Sequence, residues 1–327
     1  MGKILFISSK DVFKSLSMRE AIEEMKYAFS SLSAKESIVP LRLHLNTTDK
    51  TGTTLVMPSY DPTLKKIAVK IINTFPNNRI KKIAPAHAIV TLYNGETGEP
   101  LAIIDGESLT QIRTGAASGL ATEFLARKDS SSVAIFGPGN QGRTQLEAVC
   151  SVRKISQTYI FGKYAHESEK FAAEMSEKLN LKIEVCDDIN FLKSVDIICT
   201  ATPSTSPLFS DNLIKDGIHI NSVGSYKPQM IEIPNETVGR AKVIVDNIEA
   251  CLREAGDIIQ AIDKKYFSPN KIHGELGEIV LNKIPARESN SEITFFKSVG
   301  NAVQDLFAAA RIFDNAKQFG LGIEVEL

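Results

Sequence analysis

Three glycines with the spacing G-x-G-x-x-G constrain the fold of this 327-residue chain more than any other feature. They are Gly137, Gly139 and Gly142, and they directly follow the apolar stretch Val133–Phe136. The first glycine permits a tight turn from strand to helix, the second lets the backbone approach a pyrophosphate, and the third lets helix and strand pack closely. The unpaired N–H groups at the start of the following helix attract an anion. A further strand at Thr158–Phe161 completes the pattern, which predicts a dinucleotide-binding domain.

Composition excludes several classes of partner. The chain has 38 Lys and Arg against 39 Asp and Glu, interspersed, so we expect no nucleic-acid partner. No apolar run approaches the ~18 residues of a membrane span, and Ile4–Ile7 is too short for a signal-peptide core. We therefore expect a cytoplasmic protein without a membrane partner. The four cysteines lack metal-ligand spacing, which predicts free thiols and no metal site.

Two kinds of hydrophobic pattern divide the chain. Before the glycine motif, alternation at Leu41, Leu43 and Leu45 predicts a strand with one buried face and with Arg42 pointing the other way. Further strands and a hairpin loop at residues 94–98 predict an antiparallel sheet; the strands are Leu55–Pro58, Ile67–Ile72, Ala88–Tyr93 and Leu101–Ile104. After the glycine motif, short apolar runs predict parallel strands covered on both faces: Ile183–Val185, Val195–Thr200, Ile218–Asn221 and Val243–Val245.

Helix signals occur at three places. Capping boxes at Ser17–Glu20 and Ser108–Gln111 predict helix starts, and the second helix carries small residues at Gly115–Gly119 that allow close packing. From about Phe295 to Gly320, apolar residues recur at helical spacing, so we expect a final helix there. The fold class is therefore α/β.

Five motifs, in order over nearly the whole chain, resemble the ornithine cyclodeaminase and μ-crystallin family. They are Leu109-Thr110-x-x-Arg113-Thr114-x-Ala116, the glycine loop 137–142, Ile220-Asn221-x-x-Gly224, His273-x-x-Leu276-Gly277-Glu278-Ile279 and Phe296-Lys297-Ser298-x-Gly300. The resemblance implies a homodimer in which a Rossmann domain (116–299) is inserted into a discontinuous α+β substrate and dimerisation domain (1–115 plus 300–327).

The resemblance also assigns site residues. The family's substrate-carboxylate arginine falls on Arg42, its active-site lysine on Lys70, and the arginine of its Leu-Thr-x-x-Arg-Thr motif on Arg113. A guanidinium can hold a carboxylate with two hydrogen bonds, and a lysine in an apolar strand can exchange a proton. Without the resemblance, all three would be interpreted as surface cations.

Tyr226 departs from the family pattern. Cyclodeaminases of the family and archaeal alanine dehydrogenases have an aspartate in the segment Val-Gly-x-Asp-x-Pro, whereas this chain has Tyr226 within Val223–Pro228. A phenol with a pKa near 10 cannot replace a carboxylate that deprotonates or pairs with an ammonium group. We therefore expect Tyr226 to line the pocket or to hydrogen-bond the cofactor or the substrate.

The cofactor is expected to be NADPH, with NADH possible. At the end of the second Rossmann strand, where NAD enzymes have an acidic residue for the ribose, this chain has Gly162-Lys163. Lys163 can pair with a 2′-phosphate. The cofactor-binding residues predicted here are Gly137, Gly139, Asn140, Gln141, Gly142, Lys163, Thr200, Thr202, Val223 and Ser298.

Together these features predict an NAD(P)H-dependent reductase of a small cyclic imino acid such as pyrroline-2-carboxylate or piperideine-2-carboxylate. The substrate partner is thus a small carboxylate-bearing imine or amino acid. The alternatives are an alanine dehydrogenase, an ornithine cyclodeaminase, and a crystallin-like protein that binds NADPH and a small ligand without turnover.

We predict that the protein does not convert ornithine to proline. The reaction needs a group that serves the substrate amine, and Tyr226 could do so at neutral pH only if its pKa fell by about three units. Lys227 is adjacent, but neighbours along a strand point to opposite faces. Ammonia release from ornithine with catalytic NAD⁺ measures this directly, and release as fast as ketimine reduction would contradict it.

Overall fold

The computed structural model describes residues 2–48 and 51–326, which form two compact units. One unit comprises Met1–Arg113 with Asn301–Leu327, and the other is Thr114–Gly300. The boundaries predicted from the sequence lie after residues 115 and 299. In the described part of the chain, no helix has both the length and the apolar character required to cross a bilayer.

The first unit contains a run of consecutive strands, whereas the second unit begins with strands and helices in turn. Up to the long helix α3 the elements are β1 (Lys3–Ile7), α1 (Ser9–Ser15), α2 (Met18–Ser33), β2 (Leu43–Asn46), β3 (Thr53–Asp61), β4 (Lys66–Thr74), β5 (Ala86–Asn94), β6 (Pro100–Asp105) and α3 (Gly106–Leu125). The following elements are β7 (Ser132–Phe136), α4 (Asn140–Val152), β8 (Gln157–Phe161), α5 (Ala165–Leu179), β9 (Ile183–Val185), β10 (Ile197–Thr200), β11 (His219–Ser222), α6 (Asn235–Arg240), β12 (Lys242–Val245), α7 (Ile248–Glu254), α8 (Gly256–Asp263), β13 (Ile272–Glu275), α9 (Leu276–Val280), β14 (Thr294–Lys297), α10 (Ala302–Phe319) and β15 (Ile323–Glu326).

The first unit is built on a seven-stranded sheet with the order β15-β1-β6-β5-β4-β3-β2. Strands β2 to β6 form the predicted antiparallel meander, and β1 pairs parallel to β6 and antiparallel to β15. The amphipathic helix α10 packs on β3, β4 and β5 and also against α2. The capping box of Ser17 and Glu20 is present and starts α2, which confirms that prediction.

The predicted buried face at Leu41, Leu43 and Leu45 is wrong. The strand begins at Leu43, with Arg42 directly before it, and the side chains of Leu43 and Leu45 are 58% and 56% exposed. The physical reason is position, because β2 is the edge strand next to β3, whereas α10 packs farther into the sheet. These leucines therefore form an apolar surface on this unit.

The second unit contains an eight-stranded sheet with the order β13-β12-β14-β11-β10-β7-β8-β9, in which neighbouring strands are parallel. The neighbouring strands β9, β8, β7, β10 and β11 have the 3-2-1-4-5 order of a Rossmann fold, which confirms the predicted class. The sixth position is held by β14, which follows β12 and β13 in the chain. The strand order reverses between β7 and β10, where dinucleotides bind in such folds. The small residues of α3 pack closely as expected, since a Cβ on Gly115 would lie 2.5 Å from the Thr144 carbonyl oxygen.

Two element starts differ from the sequence prediction. Helix α3 begins at Gly106 instead of near Ser108, because the Asp105 carboxylate accepts hydrogen bonds from the Ser108 N–H (2.9 Å) and hydroxyl. The final segment begins with β14 and becomes helical only at Ala302, after the N-cap Asn301. A buried four-residue strand is too short for its periodicity to distinguish it from a helix.

Candidate active site

A buried carboxylate joins two cations in the first unit. The Lys70 Nζ lies 2.6 Å from Asp305 Oδ2, and the Arg113 Nε donates to Asp305 Oδ1 over 3.0 Å. All three side chains are at most 6% exposed. Lys70 and Arg113 are therefore not the surface cations that their residue types alone would suggest.

Three elements bring these groups together. Lys70 is in the middle of β4, between Met57 of β3 and Val90 of β5, on a buried position of the strand. Arg113 lies on α3, and Asp305 is in the first turn of α10, where the helix dipole favours a carboxylate.

Asp305 and Gln304 were not predicted as site residues, although the sequence contains a signal for both. Asn301 and Gln304 form a capping box that starts α10 and fixes the orientation of its first turn. The Gln304 Oε1 accepts hydrogen bonds from Asn301 N (3.2 Å) and from Arg113 Nη1 (2.6 Å). An Asn-x-x-Gln box followed by an acidic residue therefore marks this side of the site.

Charge at this cluster is unbalanced in favour of cations. Burial lowers the pKa of Lys70 to about 7, the Asp305 carboxylate opposes that shift, and Arg113 and Arg42 add to it. Two cations contact the one carboxylate, and Arg42 adds positive charge that acts on Lys70. Arg113 Nη2 makes no hydrogen bond to another residue in ranges 2–48 and 51–326, so its N–H groups can hold a small anion.

In the second unit, the glycine loop has the geometry that a dinucleotide requires. Gly137 has φ +103°, and a Cβ there would lie 2.6 Å from the Ala201 carbonyl oxygen; a Cβ on Gly142 would lie 2.0 Å from the Gly137 oxygen. A Cβ on Gly139 would point into open space, and Gly139 caps α4 without any side-chain hydrogen bond. The N–H groups at the start of α4, around Asn140 and Gln141, are thus left to an anion, so these residues fit a pyrophosphate.

The other predicted cofactor residues lie at the carboxyl ends of neighbouring strands. Thr200 ends β10, Thr202 follows it, and Val223 follows β11. The hydroxyls of Thr200 and Thr202 both donate to one buried side chain, Glu232, at 2.9 and 2.8 Å. Glu232 had not been singled out in the sequence.

Ser298 follows β14, and its side chain is 3% exposed. Its hydroxyl donates to Asp246 Oδ2 over 2.7 Å, and the N–H groups of Val299 and Gly300 donate to the same oxygen. Ser298 therefore holds the turn after the strand.

Lys163 is exposed and lies two residues after β8, at the predicted place for the adenosine ribose. Its Nζ is 5.5 Å from the centre of the Tyr164 ring. Gly162 is exposed, but a Cβ there would lie 2.3 Å from Ser168 Oγ and about 3 Å from the Pro138 ring.

Tyr226 lies in the loop after β11, not on a strand, and its side chain is 42% exposed. The expectation that Lys227 points to the opposite face is therefore wrong, because strand alternation does not apply there. The Lys227 Nζ lies 5.8 Å from the centre of the Tyr226 ring.

Comparison with known proteins decides the family. The model of the ornithine cyclodeaminase/mu-crystallin family matches residues 3–320. The chain belongs to this family.

Members of the family with solved structures or curated names include both reductases and dehydrogenases. A Delta(1)-pyrroline-2-carboxylate reductase of Bacillus cereus is 37% identical over 325 residues, which cover 99% of this chain and 100% of the relative. The Thermococcus litoralis Delta(1)-pyrroline-2-carboxylate reductase, solved in complex with NADH and L-proline, has a TM-score of 0.95 at 39% identity and covers 98% and 100% of the two chains. An archaeal alanine dehydrogenase dimer with bound NAD has a TM-score of 0.92 at 29% identity over both full chains.

We predict that Arg113→Lys and Arg42→Ala weaken substrate binding and leave cofactor binding unchanged. The resemblance implies that each arginine makes a charge-assisted hydrogen bond to the substrate carboxylate, and losing one such bond costs on the order of 1.5 to 3 kcal/mol, roughly tenfold to hundredfold in KM. We choose Arg113→Lys and not Arg113→Ala as the test variant, because lysine keeps a positive charge beside Asp305, whereas alanine would remove one of that carboxylate's two cationic partners.

Steady-state kinetics with the imino acid and a fluorescence titration of the cofactor separate the two effects. Arg311→Lys serves as the matched control, because Arg311 lies on another face of α10 and pairs with Glu24 of α2. Unchanged KM and kcat in both test variants would remove Arg113 and Arg42 from the site.

Proposed function

We propose that this protein is an NAD(P)H-dependent reductase of a small cyclic imino acid, with pyrroline-2-carboxylate as the first candidate substrate. The observation that carries the proposal is the buried group of Lys70, Arg113 and Asp305, with Arg42 acting on it. Its excess of positive charge suits a carboxylate. The likeness to reductases from Bacillus cereus and Thermococcus litoralis, over the full length of the chain, supports the same reaction.

In this proposal, the arginines bind and Lys70 moves the proton. Arg113 and Arg42 hold the substrate carboxylate, which fixes the adjacent C=N bond. Lys70 donates a proton to the imine nitrogen, and the nicotinamide, when bound, supplies the hydride for the imine carbon. One hydride and one proton convert C=N to CH–NH, and a protonated imine is already a good hydride acceptor. The product is a cyclic amino acid such as proline or pipecolate.

Asp305 keeps Lys70 suited to this task. Desolvation alone would strip the proton from a fully buried amine, whereas the carboxylate 2.6 Å away favours the ammonium form. The resulting pKa of about 7 lies near the pH at which a general acid works best.

Alanine dehydrogenase is a second candidate, because an archaeal member has the same fold over its whole length. Tyr226 argues against it, since the family's deaminating members carry an aspartate at that position. One assay distinguishes the candidates: purified protein with NADPH or NADH is offered pyrroline-2-carboxylate, piperideine-2-carboxylate, or pyruvate with ammonia. Faster oxidation of the cofactor with pyruvate and ammonia would overturn the proposal, and cofactor binding without turnover of any substrate would indicate a binding protein.

A second copy of the chain is the partner that we propose for the exposed apolar face of the first unit's sheet. Leu43 and Leu45 share one face of β2, and Ile89 of β5 is 46% exposed. Apolar surface of this kind is typical of a protein interface, and a related alanine dehydrogenase is a dimer. We also propose a cytoplasmic location, since the four cysteines are free, as in a reducing compartment.

We predict that NADPH is preferred to NADH and that Lys163→Ala removes most of this preference. The change deletes the cation at the end of β8, and one charge-assisted contact to a 2′-phosphate is worth roughly tenfold in the ratio of kcat/KM values. Substitution at Lys163 is cleaner than Gly162→Asp, because a Cβ at Gly162 would collide with Ser168.

The solved Thermococcus litoralis relative holds NADH, so the preference has to be measured for this chain. Lys170→Ala on α5 is the matched control, because Lys170 is an exposed lysine paired with Glu174. A wild-type protein that uses NADH at least as well as NADPH would contradict the prediction.

We predict that kcat/KM for imine reduction falls as pH rises through about 7, because Lys70 must be protonated to donate. Asp305→Asn removes the charge that raises the pKa of Lys70, so the fall in this variant should lie about one pH unit or more lower. Asp314→Asn, an exposed change on the same helix, should leave the profile unchanged. A profile that does not move in Asp305→Asn would assign the titration to the substrate and not to Lys70.

A further inference from the structure

Glu232 is fully buried and gathers hydrogen bonds from two loops of the second unit. Its donors come from the ends of β10 and β11 and from the residues that follow them. Oε1 accepts from Thr202 N (2.6 Å) and Thr202 Oγ1 (2.8 Å), and Oε2 accepts from Thr200 Oγ1 (2.9 Å), Ser222 Oγ (3.1 Å), Gly224 N (2.8 Å) and Ser225 N (3.2 Å). One carboxylate thus holds both loops.

A second buried carboxylate, that of Asp257, holds the backbone at Glu232 in place. Asp257 accepts from the backbone N–H groups of Glu232 (2.7 Å) and Ile233 (3.1 Å), which fixes where the Glu232 side chain begins. Lys297 of β14 lies 3.0 Å from Asp257 Oδ2, and both side chains are 0% exposed. A buried lysine and aspartate of this kind are tolerated because they compensate each other.

The two loops belong to one half of the dinucleotide site. In a Rossmann fold, the end of the second strand, here β8, receives the adenosine ribose. Strands β10 and β11 lie on the other side of the point where the strand order reverses, so their loops face the half that holds the nicotinamide.

We propose that Glu232 is a positioning residue for the nicotinamide half of the cofactor site. It acts by fixing the loops Thr200–Thr202 and Val223–Ser225 against each other. Since it is fully buried, it does not itself contact the cofactor. The inference rests on the proposed cofactor binding but not on the identity of the imino acid.

Glu232→Gln tests this role by binding measurements without turnover. The amide has one acceptor oxygen in place of two, so at least one of the three backbone N–H groups loses its partner. We expect the Kd of NADPH to rise about tenfold, which corresponds to one hydrogen bond of about 1.4 kcal/mol. The Kd of 2′-phospho-ADP, which carries only the adenosine half, should not change. Glu236→Gln, an exposed change of the same type in α6, is the matched control.

Thr200→Val is a second variant that retains the shape of the side chain. Thr200 was predicted to bind the cofactor, but its side chain is 0% exposed and donates to Glu232, so we expect any change in cofactor binding to act through Glu232 and not through lost contact with the cofactor. Thr237→Val is its control, because Thr237 is an equally buried threonine that donates to Asp211 instead. We expect Thr200→Val to weaken NADPH binding a few-fold and Thr237→Val to leave it unchanged.

The outcomes separate this role from simple loss of structure. Weaker binding of NADPH with unchanged binding of 2′-phospho-ADP supports the proposal. Equal weakening of both ligands, or of neither, overturns it. If the variants give the expected split but the wild type fails to reduce any imino acid, the proposed function fails while the role of Glu232 stands.

Discussion

The contact between Lys70 and Asp305 is the interaction on which the first unit depends. Removing a lysine and an arginine from water costs several kcal/mol for each ion, and a carboxylate placed between them offsets much of that cost. Asp305 is that carboxylate for Lys70 of β4 and for Arg113 of α3 at once. The sheet, the long helix and the last helix are thereby fixed to one point, and the same point has the charge excess that a carboxylate substrate needs.

In the second unit, the groups that need partners are backbone N–H groups, and a carboxylate again supplies part of the pairing. Its glycine loop leaves N–H groups unpaired for a ligand, whereas its neighbouring loops have their N–H groups paired by Glu232. A dinucleotide site needs both arrangements, since the pyrophosphate must find free donors and the nicotinamide must find a surface that does not rearrange. N–H groups that are available to a ligand and N–H groups that Glu232 holds in place therefore lie at neighbouring strand ends of one sheet.

Sequence patterns predicted the class of fold because glycine spacing and apolar strands follow local rules. The Rossmann class of the second unit, the capping box at Ser17 and the meander from β3 to β6 all followed from such rules. The burial of Leu43 could not be predicted, because exposure at an edge strand depends on where α10 packs. Asp305 and Glu232 escaped for a similar reason: each acts through partners that lie far away in the sequence, Lys70 and Arg113 for Asp305, and Thr200 and Thr202 for Glu232.

The order of segments along the chain has a consequence for synthesis. Residues 114–300 form a continuous unit, whereas the first unit needs residues 301–326 to supply α10 and β15. During translation, the N-terminal strands emerge first, and Lys70 then has no Asp305 to pair with. The Rossmann unit can fold while the preceding sheet still lacks α10, which later covers β3, β4 and β5. Residues 114–300 are therefore synthesised before Lys70, the proton donor of the proposed reaction, has acquired its counterion Asp305.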